Sequence, residues 1–171
     1  ANKDKRIIID SHANIGMGES LNKALKSTIF DLIIRMDADD IMHDNRIEKQ
    51  LNFMKNNTDI TVASCLAYYI NENNRKIGRT FSDLKSINDA KKYYKNNDPI
   101  GILHPGVIFR KKDIMDIGGY RSQFWPAEDI DLWNRLLENG KNIVVMQEFL
   151  MRYRIHGDSI ITSKFKQSRL K

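Results

Sequence analysis

Apolar runs bounded by polar or glycine-bearing segments divide this chain into short strands and amphipathic helices. Ile7-Ile8-Ile9, between Arg6 and Asp10, reads as a buried strand, after which the sequence turns through Ser11-His12-Ala13-Asn14. Beyond Gly16 and Gly18, the residues Met17, Leu21, Ala24 and Leu25 recur at the spacing of one helix face. Residues 32–36 predict a second strand. A second helix follows, opened by Asn45 with Glu48 three positions on, a capping-box spacing, and with Ile47, Leu51 and Met54 as its buried face. Alternation of strand and helix implies a parallel α/β sheet, in which ligands sit at the carboxyl ends of strands.

Residues 60–70 read as another strand, 71–74 as a polar turn and 76–80 as a return strand, whereas 82–99 support only a helical or irregular reading. His104-Pro105-Gly106 is a constrained turn into a strand ending at Arg110, and a short helix with Ile114 and Met115 is closed by Gly118-Gly119-Tyr120. Pro126 favours a helix start. Ile130, Trp133 and Leu137 make the apolar stripe of that helix until Gly140 ends it, and 143–145 and 149–153 read as two further strands.

The 171 residues, 41% hydrophobic and 29% charged, suit one soluble domain over 1–160, with 161–171 as a basic tail carrying Lys164, Lys166, Arg169 and Lys171. The net charge of +6 favours anionic ligands such as nucleotide diphosphates or acidic lipid head groups. No basic stripe interleaved with aromatics accompanies it, which argues against nucleic acid as partner. Cys65, the single cysteine, excludes an intrachain disulfide, reads as a buried thiol and suits a reducing cytoplasm. No apolar run approaches the roughly 18 to 20 residues that span a bilayer.

Candidate chemistry gathers in two places. The strand at 32–36 delivers Asp37, Asp39 and Asp40 to its carboxyl end, and the one-residue gap between Asp37 and Asp39 lets both reach one hard cation such as Mn²⁺ or Mg²⁺. Acids that cap the next helix or stand in solvent would look the same locally. Glu128, Asp129 and Asp131 load the first turn of a helix, which the helix dipole alone would favour. His156 is the third point of interest: a lone histidine is usually structural, yet imidazole is also the commonest nitrogen ligand for metals.

The stretch Asn14-Ile15-Gly16-Met17-Gly18 through Asn22-Lys23-Ala24-Leu25, then Ile33-Ile34-Arg35-Met36-Asp37-Ala38-Asp39-Asp40, resembles the family 2 glycosyltransferases of the GT-A fold. Many of these build bacterial surface polysaccharides. The Glu128-Asp129 pair downstream of Gly118-Gly119-Tyr120 extends the resemblance, which runs from about Arg6 to Ser159. It implies an α/β, GT-A-like mixed sheet flanked by helices, related to the Rossmann fold. It also implies truncation at the N-terminus, because the family's first strand and helix, and a second strand ending in nucleotide-binding acids, have no match here.

By the same resemblance the reaction is an inverting transfer of one sugar per encounter from a nucleotide-diphosphate sugar, UDP being favoured by family frequency. The acceptor it implies is a saccharide or lipid-linked acceptor, and the location the cytoplasm, with the inner face of the cell membrane as an option. Asn14, Gly16, Arg35, Asp37 and Asp39 would lie at the nucleotide sugar. Asp39, with Asp37 and His156, would hold the metal; Asp129 would be the general base, with Glu128 orienting it or an acceptor hydroxyl. A nucleotidyltransferase and a non-catalytic saccharide-binding module are the competing classes. The first would carry a Gly-rich phosphate loop with Lys or Arg, which is not visible in this chain.

Overall fold

A computed structural model describes residues 4–156. The basic tail expected at 161–171 lies outside the described residues. The helices are α1 (Met17–Ser27), α2 (Arg46–Asn56), α3 (Ile87–Lys95), α4 (Lys111–Asp116) and α5 (Glu128–Glu138). The strands are β1 (Leu32–Ile34), β2 (Ile41–Met42), β3 (Ile60–Ile70), β4 (Lys76–Arg79), β5 (Ile108–Arg110) and β6 (Asn142–Arg154).

These strands form one six-stranded sheet in the order β1-β5-β3-β6-β2, with β4 paired to β3. Among the described residues β3 and β6 pair in parallel and every other pair is antiparallel. The sheet is therefore mixed, as the family resemblance implied, and not parallel as the strand–helix alternation suggested. The alternation misleads because β1 and β2, close in sequence, lie at opposite edges, separated by strands that come later in the chain.

Period-two alternation along the central strands divides the interior into two cores. Val62, Leu66, Phe109, Ile143 and Val145 join Leu132, Trp133 and Leu136 of α5 on one face. Ala63, Cys65, Ala67, Ile108 and Val144 join Met54 of α2 on the other. Cys65 is buried, and burial pushes its thiol up to about 11. Fully burying an apolar side chain of this size is worth about 1.5–3 kcal/mol, so the two cores hold β3 and β6 as the rigid frame of the molecule.

Several local expectations are corrected. Ile7, Ile8 and Ile9 form no strand and are 55%, 86% and 74% exposed, because among the described residues no strand pairs with them. The buried face of α2 is Arg46, Gln50 and Met54, while Ile47 is exposed. Asn45 stands at the N-cap but makes no side-chain cap bond, its φ of −98° and ψ of 9° lying outside the extended conformation that aims a cap side chain. In α5 the stripe is Leu132, Trp133, Leu136 and Leu137, with Ile130 only partly buried.

The two strands expected near the C-terminus are one, β6. Cys65 pairs with Met146 and Leu66 with Phe149, so Gln147 and Glu148 are a bulge that looks like a break in the hydrophobic pattern. Helix α3 was illegible as such, though Ser86 and Asp89 form a complete capping box before it.

Candidate active site

Strand β1 ends where the chain must turn toward β2, and this turn carries the acids. The Arg35 N–H donates to Val107 O at 3.1 Å, which pins the strand end against the His104–Gly106 turn. From α2 the buried Arg46 donates to Arg35 O at 2.9 Å and to Gln50 Oε1 at 2.9 Å, while Gln50 donates to Gly106 O at 2.8 Å. Those carbonyls explain why α2 turns polar residues inward: a buried carbonyl without a donor costs about 1–3 kcal/mol.

The Arg35 guanidinium grips Asp37 in a two-pronged ion pair, Nη1 to Oδ2 at 2.9 Å and Nη2 to Oδ1 at 2.6 Å. Asp39 faces elsewhere. Its Oδ2 lies 3.2 Å from His156 Nε2, across 117 positions of sequence. Arg154, at the end of β6, donates from Nε to Asp39 O at 2.8 Å and from its backbone N–H to Asp40 Oδ1 at 2.9 Å. Its Nη2 reaches Asn74 Oδ1 at 2.7 Å, tying the acidic turn to the β3–β4 connection. Asp40 is buried and its Oδ2 has no partner among the described residues. Burial pushes its carboxyl up to about 6 against the Arg154 hydrogen bond, with the charges of Asp37 and Asp39 adding to the rise.

A carboxylate oxygen and an imidazole nitrogen at this spacing fit two adjacent positions on one divalent ion. Both oxygens of Asp37 are engaged by Arg35, and no cluster of three or more His, Cys, Asp or Glu forms a metal cage among the described residues.

Asp129 and Glu128 open α5. Asp129 Oδ1 accepts from the Ile130 N–H at 2.9 Å, and burial raises its carboxyl above the usual range. Its Oδ2 stands 3.9 Å from His104 Nδ1. Glu128 is 4% exposed and its Oε2 has no partner among the described residues, an arrangement that suits an incoming hydroxyl donor. Arg35 links the two halves: its charge acts on Asp129 and His104 as well as pairing with Asp37. Asp131 is committed elsewhere. Burial alone would raise its carboxyl, but Arg121 and Arg135 hold it below the usual range.

Asn14 and Gly16 lie in the exposed loop before α1, where the Gly16 N–H donates to Asn14 Oδ1 at 3.0 Å. Among the described residues neither hydrogen-bonds the 35–40 segment. Arg46, His104, Tyr120 and Arg154 escaped sequence reasoning. For Arg46 the reason is that the expected core face of α2 was Ile47, Leu51 and Met54, whereas the helix buries Arg46, Gln50 and Met54.

The family described as glycosyl transferase family 2 matches residues 1–118, more than half of the chain. The chain belongs to that family. This family 2 chain is 32% identical over 169 residues to an uncharacterized glycosyltransferase of Methanocaldococcus jannaschii, covering 98% of the chain and 57% of the relative. It is 37% identical over 148 residues to the Escherichia coli UDP-Gal:alpha-D-GlcNAc-diphosphoundecaprenol beta-1,3-galactosyltransferase, covering 85% of the chain and 52% of the relative. The chain spans about half the length of the curated relatives it matches. A mannosyltransferase from Pyrobaculum calidifontis, solved with GDP-Man and Mn²⁺, aligns with a TM-score of 0.61 over 91% of this chain and 41% of its own. At 12% identity that likeness shows the fold, which is GT-A-like.

Proposed function

We propose that the protein carrying this chain transfers a sugar, with inversion and with the help of a divalent metal, from a nucleotide-diphosphate sugar to a saccharide or lipid-linked acceptor in surface-polysaccharide synthesis. The observation that carries this reading is the pairing of two chemistries that Arg35 serves: it grips Asp37 in the acidic turn that brings Asp39 to His156, and its charge acts on the partly buried Asp129. The lipid-diphosphate acceptor in the name of the Escherichia coli relative and the ligands of the mannosyltransferase support the substrate classes. No helix among the described residues is long and apolar enough to cross a membrane.

In this reading Asp39 and His156 would hold Mn²⁺ or Mg²⁺, which would supply positive charge to offset that of the departing diphosphate. Arg35 keeps Asp37 oriented toward the nucleotide. Asp129 accepts the proton of the acceptor hydroxyl as that oxygen attacks the anomeric carbon, and Glu128 orients the hydroxyl. One displacement inverts the configuration.

Thermal-shift measurements with nucleoside diphosphates and their sugars, with and without Mn²⁺, test the donor side on the whole protein and on residues 1–171. A ligand at a hundredfold excess over Kd stabilises by about 2.7 kcal/mol. A Mn²⁺-dependent shift for one nucleotide in the whole protein, lost in Asp39→Ala, is expected. No shift with any nucleotide would remove the reading.

A further inference from the structure

His104 is a buried titratable group beside Asp129 that the proposed chemistry leaves without a task. It is 8% exposed, its Nε2 lies 2.8 Å from Tyr120 Oη, and its Nδ1 faces Asp129 Oδ2. Burial drives its imidazole well below the usual range, so it is neutral and carries one ring proton. Tyr120 is equally enclosed, and burial holds its phenol protonated.

Its position is built from several directions. Asn22 of α1 accepts from the Tyr120 N–H at 2.8 Å and donates to Tyr120 O at 2.8 Å, a two-point clamp on the backbone. Arg135 of α5 donates to Gly119 O at 2.6 Å, and the ring of Trp133 meets His104 edge-on at 5.7 Å. Such an enclosed chain of ring and hydroxyl, ending at a carboxylate, has one electrostatically sound proton arrangement. A lone pair on Nδ1 would oppose the Asp129 oxygen, whereas an N–H would attract it.

We propose that His104 is a positioning residue for Asp129: Tyr120 donates its hydroxyl proton to Nε2, which keeps the imidazole proton on Nδ1, aimed at the Asp129 carboxylate. At 3.9 Å the last link is longer than a hydrogen bond. The proposed role therefore requires this link to tighten in the reactive complex, as catalytic contacts do. The role rests on Asp129 serving as the base. The groups facing Asp129 are Arg35 from the end of β1, Tyr120 and His104 from the loops, and Glu128 on its own helix. Of these, His104 is the neutral donor that selects the orientation of the carboxylate.

Two readouts test it. In long-range ¹H–¹⁵N spectra of the chain, His104 is expected as the neutral Nδ1–H tautomer, and Tyr120→Phe is expected to move it toward Nε2–H; an Nε2–H tautomer in the unmodified protein overturns the proposal. In the whole protein, His104→Phe is expected to move the acid limb of the kcat profile for sugar transfer, which reports the substrate-bound state, upward by about one pH unit, the shift of one charge-assisted hydrogen bond. His104→Gln, which keeps a donor, should return it toward the original position.

An unmoved limb in folded His104→Phe overturns the proposal. Where that variant does not fold, the limb of Tyr120→Phe decides in its place. Asp129→Asn separates the two failures. Retained transfer in Asp129→Asn removes the base itself, while lost transfer together with an unmoved limb removes only the role of His104.

Discussion

Asp129 shows how one carboxylate can be costly for folding and useful for chemistry. Burial raises its carboxyl, so the folded state favours the protonated form more than the unfolded chain does. Its favourable contribution is complete below the unfolded value of about 3.9 and is lost as pH rises through the higher folded value. Asp129→Asn keeps the oxygen that accepts from the Ile130 N–H and cannot ionise. It is therefore expected to be more stable than the unmodified chain at neutral pH, with the difference closing toward acid, as urea midpoints across a pH series would show. In the whole protein the same substitution should leave nucleotide binding nearly unchanged while transfer falls by about 10²-fold or more. Equal transfer would take Asp129 out of the reaction.

At the scale of elements, the close of α4 governs where Tyr120 stands. The Gly119 N–H donates to Ile114 O at 2.9 Å and the Gly118 N–H to Met115 O at 3.0 Å, the paired bonds of a Schellman end. Both glycines have positive φ, +87° at Gly118 and +70° at Gly119. They differ in surroundings: a Cβ at Gly118 would meet nothing within 4 Å, whereas one at Gly119 would lie 2.5 Å from Asn22 Oδ1. Gly118→Ala should thus cost about 1–2 kcal/mol, the left-handed penalty alone. Gly119→Ala should cost visibly more in the same denaturation experiment, because the Asn22 clamp on Tyr120 must also shift. Equal losses would show that the clamp gives way freely. The glycine stop of α4 was legible in sequence, but the clamp that holds Tyr120 after it was not, since Asn22 and Tyr120 lie 98 positions apart.

For the molecule as a whole, the apolar pattern and the observed exposure disagree at one end. Ile8 and Ile29 are 86% and 87% exposed, and Phe30, just before the edge strand β1, is 69% exposed. Ile8→Ser and Phe30→Ser should leave the folding stability of residues 1–171 within about 0.5 kcal/mol, as substitutions away from packed contacts do. A loss of about 2 kcal/mol or more, the scale of a buried apolar group, would show that these side chains are covered in solution.

Local chemistry in the sequence determined the bounds of β3 and nearly those of β4, the start of α1 at Met17, the turn glycines after α4 and the placement of acids at a strand end and a helix start. Those features depend on period, propensity and charge within a few neighbouring residues, so one stretch of chain is enough to specify them. Tertiary structure alone decided the mixed pairing of the sheet, the rotation of α2 that buries Arg46, and the exposure of Ile8 and Ile9. It also decided the meetings of Asp39 with His156 and of His104 with Tyr120 and Asp129. These depend on which distant carbonyls, rings and carboxylates share one buried volume, and sequence spacing carries no information about that.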